Sequence, residues 1–88
     1  MEISYDFNKD AANQRKHGVS LANAANIEWE TMIAVPDIRR NYGEPRMIGL
    51  AYIGLRLFCV IYTDRDQVRR VISLRKANKR EVCQYARA

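Results

Sequence analysis

Eleven arginines and a single histidine, His17, are the side chains of this sequence best suited to chemistry. Arginine presents a planar fork of donors that holds two phosphate oxygens at once, and histidine alone has an ordinary pKa near neutrality. The cations are unevenly placed. Up to Glu44 there are five basic and seven acidic residues, and after it ten basic and three acidic. The net charge of +5 therefore comes entirely from the C-terminal half, whose natural partner is a polyanion, either nucleic acid or an acidic protein. Solubility is a third reason for a small domain to carry such a charge. Metal ligands are scarce: one His, two well-separated Cys (Cys59 and Cys83) and no cluster of carboxylates, so neither a metal site nor a cofactor is expected.

The elements that must carry these cations fit one domain over residues 1–88, with 48% hydrophobic content, a single core and no room for a buried cofactor cleft. The apolar runs are far shorter than a membrane span and the N-terminus lacks a basic-then-apolar signal. Isolated cysteines suit a reducing compartment, so a cytoplasmic protein without a membrane segment is expected. Alternation over Glu2–Asp6 predicts a first strand. Asn8 is the expected cap of a helix over Lys9–Lys16, which Gly18 ends, and Ser20 caps a second helix running to about Glu30. Thr31–Val35 reads as a strand stopped by Pro36, and residues 37–45 as a polar loop.

Three more strands, Arg46–Ile53, Leu55–Thr63 and Val68–Arg75, are joined at Gly54 and at Asp64–Gln67 as an antiparallel meander. Asn78 with Glu81 forms a capping box, and Val82, Tyr85 and Ala86 give the final helix an apolar stripe. The fold class is α+β: helices on one face of a mainly antiparallel four- to five-stranded sheet, with a C-terminal helix. Strict alternation along the last strand puts Val68, Arg70, Ile72 and Leu74 on one face and Arg69, Val71, Ser73 and Arg75 on the other. An open cationic face would then hold Arg69 and Arg75 together, with whichever of Arg46, Arg56 and Tyr62 the neighbouring strands supply.

Certain residues also carry a family pattern. They are Tyr5-Asp6, Lys9, Asn13, Lys16-His17-Gly18-Val19-Ser20, Ala24-Ala25, Ile48-Gly49, Gly54, Tyr62-Thr63, and Arg70-Val71-Ile72-Ser73-Leu74-Arg75-Lys76-Ala77 leading to Glu81 and Tyr85. Together, nearly end to end, they resemble the BrnT family of type II toxins. The sequence departs from the usual pattern at Tyr5 and Phe7, where Trp or Phe-Asp-Trp is common near the start, at Leu21, where a Phe commonly follows the capping Ser, and at Leu74, where Ala is usual. The resemblance implies a small ribonuclease toxin with a RelE-like fold, neutralised in a hetero-oligomer by a BrnA-type antitoxin. It also implies RNA cleavage without a metal ion: a base assists attack by the 2′-hydroxyl, cations stabilise the phosphorane, and an acid assists the leaving 5′-oxygen.

On that reading Arg75 clamps the scissile phosphate, with Lys16, His17 and Tyr62 as the other catalytic candidates and Arg69, Arg70, Arg65 and Arg46 as RNA-binding ones. Each has a plainer alternative. Arg75 can pair with Glu81, His17 and Lys16 can satisfy the carbonyls at a helix end, and Tyr62 can be half core. Two other functions fit the same charge pattern, a non-catalytic nucleic-acid-binding module and a protein-interaction module with a cationic sheet face.

Overall fold

The computed structural model describes all 88 residues. Five strands form one mixed sheet: β1 (Glu2–Tyr5), β2 (Ile33–Pro36), β3 (Met47–Ile53), β4 (Arg56–Arg65) and β5 (Val68–Lys76), in the order β1-β5-β4-β3-β2. The meander β2-β3-β4-β5 is antiparallel as expected, and β1 joins β5 in parallel. Pro36 is the last residue of β2, an edge strand, where its missing N–H breaks no ladder. The β4–β5 hairpin turns at Asp66 and Gln67, both at positive φ, which is the backbone of the two-residue turn that matches strand twist.

Helix α1 (Phe7–His17) starts two residues earlier than expected, because Asp6 rather than Asn8 is its cap and accepts from the Asn8 N–H. Gly18 ends it in the left-handed conformation, its N–H bonded to the Gln14 carbonyl. The expected second helix is instead two short 3₁₀ turns, Leu21–Asn26 and Trp29–Thr31. Ser20 does cap the first of them. The chain leaves helical geometry where Glu28 donates its N–H to the Tyr52 carbonyl of β3, so pairing with the sheet wins over continued helix.

Two cores lie on the two faces of the sheet. Leu21, Ala24 and Ile27 of the 3₁₀ segment pack on Ala51, Phe58, Val60, Tyr62, Val71 and Leu74. The alternate side chains Leu50, Leu57 and Cys59 face the other way with Ala77, and Ile48, Tyr52 and Tyr85 pack against them. Helix α2 (Lys79–Arg87) thus lies across the face opposite the 3₁₀ turns. Asn78 and Glu81 form its capping box, Tyr85 meets Tyr52 edge-on at 5.4 Å, and the Tyr85 hydroxyl donates to the Thr31 carbonyl. Gly49 of β3 sits against Met32 and Val60, where an added Cβ would run into the Met32 thioether. No helix is long and apolar enough to cross a membrane.

Candidate active site

Strand β5 carries Arg69, Arg70 and Arg75, and a bulge decides which way each points. The β4–β5 register steps from Ile61 opposite Ser73 to Tyr62 opposite Val71, leaving Ile72 as an extra residue. An extra residue resets the alternation beyond it, so Val71 and Leu74, three apart, both bury in the core under the 3₁₀ turns. The expectation that Arg69 and Arg75 share one face is therefore corrected: they emerge on opposite faces.

Arg69 stands on the 3₁₀ side. Its guanidinium lies 4.2 Å from the Tyr62 ring centroid and 4.8 Å from that of Trp29, and its Nε and Nη2 bond both oxygens of Asp64 at 2.7 and 2.8 Å. Tyr62 is buried beneath it, edge-on to Trp29, and burial raises its hydroxyl pKa above the ordinary value. These two candidates form a packed cation–aromatic stack, which the structure does not bring to Arg75.

Arg75 stands on the α2 side, opposite Cys59 in the ladder. Its Nη1 and Nη2 reach the two oxygens of Glu81 at 2.8 Å each, so the capping box of α2 and the strand share one carboxylate. The bond to Arg75 is the first cause holding Glu81 below the usual carboxylate value, and burial pushes the neighbouring Cys59 thiol up to about 11. Only the end-on fork of Arg75 is occupied. Its Nε–Nη2 edge keeps free donors, on a side chain 35% exposed.

Lys16 and His17 reach the same side from the C-terminal turn of α1. With Lys9, Asn13, Ile72 and Ser73 they line a shallow cleft of about 240 Å³ beside the bulge. The pKa of His17 is lowered below its ordinary value, first by partial burial and then by the positive charges of Lys16 and Arg75, which leaves the imidazole neutral at pH 7. The Arg75 charge thus acts on His17 although the two lie 58 positions apart in the chain.

Arg70 and Arg65 belong to a second cleft further along that face, with Ser4 and Thr63. Arg70 is exposed and bonded to no carboxylate, and Arg65, with a side chain 77% exposed, is only 3.8 Å from Glu44. Arg46 is more tightly engaged. It pairs with Glu44 at 3.2 Å and stacks on Tyr42, inside a loop ordered by the bidentate Asp37–Arg39 bond, which holds the Asp37 carboxyl far below the usual range.

Sequence reasoning gave no role to the residue that joins α1 to β5. Asn13 is buried, and its amide donates to the Val19 and Leu74 carbonyls at 2.8 Å each while accepting from the Leu74 N–H at 3.2 Å. β1 stops pairing with β5 at Val71, and the Asn13 amide takes its place at Leu74 as one peptide unit of a strand would. Its neighbours on the same helix face are Lys9, Asp10, Lys16 and His17, so no local apolar pattern marked Asn13 as buried. Asp10 works similarly one turn earlier, accepting from the Leu21 N–H at 2.7 Å and from the Ser20 hydroxyl.

No curated protein matches the chain. Residues 5–81 match the family described as the ribonuclease toxin BrnT of type II toxin-antitoxin systems, which spans the cleft, the bulge and Glu81. The chain therefore belongs to the BrnT family of ribonuclease toxins, whose substrate is RNA and whose partner is an antitoxin protein.

Proposed function

We propose that this toxin is an endoribonuclease that needs no metal ion, that it cuts at the cleft lined by Lys16 and His17 with Arg75 acting from further along β5, and that a BrnA-type antitoxin in the cytoplasm silences it in a hetero-oligomer. The observation that carries the reading is geometric: Lys16 and His17, consecutive at the end of α1, line the cleft beside Ile72 and Ser73 of β5, and the Arg75 charge on that strand acts on the imidazole. A neutral imidazole accepts a proton, and the cations that add to the effect of burial on it also attract a phosphate. No three His, Cys, Asp or Glu side chains are grouped to hold a metal ion, so the cations at hand are Lys and Arg.

His17 takes the proton of the 2′-hydroxyl, whose oxygen forms a bond to the adjacent phosphorus. The bond to the 5′-oxygen breaks, that oxygen takes a proton from the Lys16 ammonium, and a 2′,3′-cyclic phosphate remains on the other fragment. Arg75 offsets the charge of the phosphorane through its free Nε–Nη2 edge, with Glu81 fixing the orientation of the guanidinium. Tyr62, on the far face, takes no part.

One observation favours a binding role without cleavage, namely that half of the Arg75 fork already bonds Glu81. Incubation of RNA with the toxin in EDTA separates the two readings, with His17→Ala purified identically as the control. Cleavage lost in His17→Ala and in Arg75→Ala supports the nuclease site. RNA that is bound and left intact by the natural sequence would remove it.

A further inference from the structure

We infer that the cleft of Ser4, Thr63, Arg65 and Arg70 is a second phosphate subsite, which holds the RNA backbone away from the cutting point and makes the toxin prefer longer strands. This rests on the site proposed above for its direction along β5. The cleft has a volume of about 300 Å³. Ser4, Arg70 and Thr63 form one row across three strands, since Ser4 lies opposite Arg70 in β1–β5 and Thr63 opposite Arg70 in β4–β5. The bulge lies beyond this row, so Arg70 stays on the α2 side with Arg75 while Arg69 turns away.

Arg70 is the one β5 arginine whose guanidinium is bonded to nothing in the protein. A cation on a rigid strand, with a free fork and a serine hydroxyl beside it, is an unfilled site for phosphate oxygens. The two acids at its rim leave that charge standing. Glu44 bonds Arg46 at 3.2 Å, and Asp66 lies exposed at the hairpin turn. The Thr63 hydroxyl donates to the Pro45 carbonyl, so Thr63 shapes the wall while Ser4, Arg65 and Arg70 supply donors. Arg75 lies five positions along the strand from Arg70, about 16 Å at the usual rise. That is longer than one backbone repeat of an extended RNA strand, so both places are filled only by a longer oligonucleotide.

The test is equilibrium binding of fluorescent RNA oligonucleotides of increasing length, from a dinucleotide upward, each 2′-deoxy at the cutting position so that none is consumed. Affinity should rise in a step once the strand reaches the second cleft. Arg70→Gln should remove that step, lowering the affinity of long strands about tenfold while leaving the dinucleotide unchanged, and should reduce the salt dependence of long-strand binding by about one charge. Arg70 supports nothing in the fold, so this variant keeps its melting temperature. A smooth rise with length, or a step that survives in Arg70→Gln, overturns the subsite. Cleavage of uniform RNA is read separately: a toxin that shows the step without cutting keeps the subsite and loses the nuclease site, and one that cuts without the step does the reverse.

Discussion

Replacing Asn13 by Ala should cost the toxin much of its stability, although the substitution favours helix and touches no charge. The amide is the sole partner of the Leu74 N–H and C=O on that side of β5, and it also satisfies the Val19 carbonyl. Leu74 is fully buried, so water cannot replace the lost bonds without opening the sheet edge. A buried polar group left without a partner costs about 1–3 kcal/mol. With two such groups at Leu74, and some relief from the better helix propensity of Ala, the loss is about 3 kcal/mol. A domain of this size has roughly 4–13 kcal/mol in total, so a large share disappears. At about 4–8 °C per kcal/mol the melting temperature should fall by about 12–24 °C. Gln14→Ala, which removes only an exposed bond to Asp10, should change stability by less than about 0.5 kcal/mol. Urea titrations followed by circular dichroism measure both, and amide exchange at Leu74 localises the effect. A loss under about 1 kcal/mol, or unchanged protection of the Leu74 amide, would refute the strand-substitute role.

The Asp66–Gln67 turn holds two non-glycine residues at positive φ, so Gln67→Gly should raise stability by about 0.5–1 kcal/mol, read as a higher urea midpoint with an unchanged slope. Glu81 is bonded to Arg75 only in the folded chain, which lowers its pKa from the ordinary 4.5, so below that pH the unfolded chain takes up the proton first. Its stabilisation is complete at neutral pH and lost as pH falls through the lowered value; Glu81→Gln should therefore be less stable than the natural sequence at pH 7 and the gap should close in acid. Lys16→Met removes one of the charges that depress His17, and the imidazole pKa followed by NMR titration should rise toward 6.5. An unmoved titration would show that Lys16 does not depress it and that burial and Arg75 set it.

Much of the fold was legible because local signals agreed with one another. Gly18, Ser20, the Asn78–Glu81 box and the β-branched strands each mark an end or an interior by their own backbone preferences, and tertiary contacts did not override them. The 3₁₀ turns were not legible, because Leu21, Ala24 and Ala25 have helical spacing and the residue that interrupts it, Glu28, does so through its backbone N–H, which any sequence possesses. Likewise Asn13 sits among Lys9, Asp10, Lys16 and His17 on its helix face, and nothing local announces the strand 61 residues away that it serves.

The candidate site turned on the least visible feature of all. Val71-Ile72-Ser73-Leu74 reads as an ordinary strand, and nothing in residue type marks Ile72 as surplus. Packing supplies what composition lacks: with strict alternation Val71 and Leu74 would point to opposite faces, yet both are fully buried in the same core. The bulge lets β5 bury both in one core, and its by-product is to turn Arg75 away from the Tyr62–Trp29 stack and onto Glu81, on the side from which its charge acts on His17. Arg69 and Arg70, before the bulge, keep the parity that sends one to the stack and leaves the other free. Two core side chains three residues apart therefore determine which β5 arginine lends its charge to the imidazole, and the charge excess of the C-terminal half becomes a directed field there because of where hydrophobic groups must go.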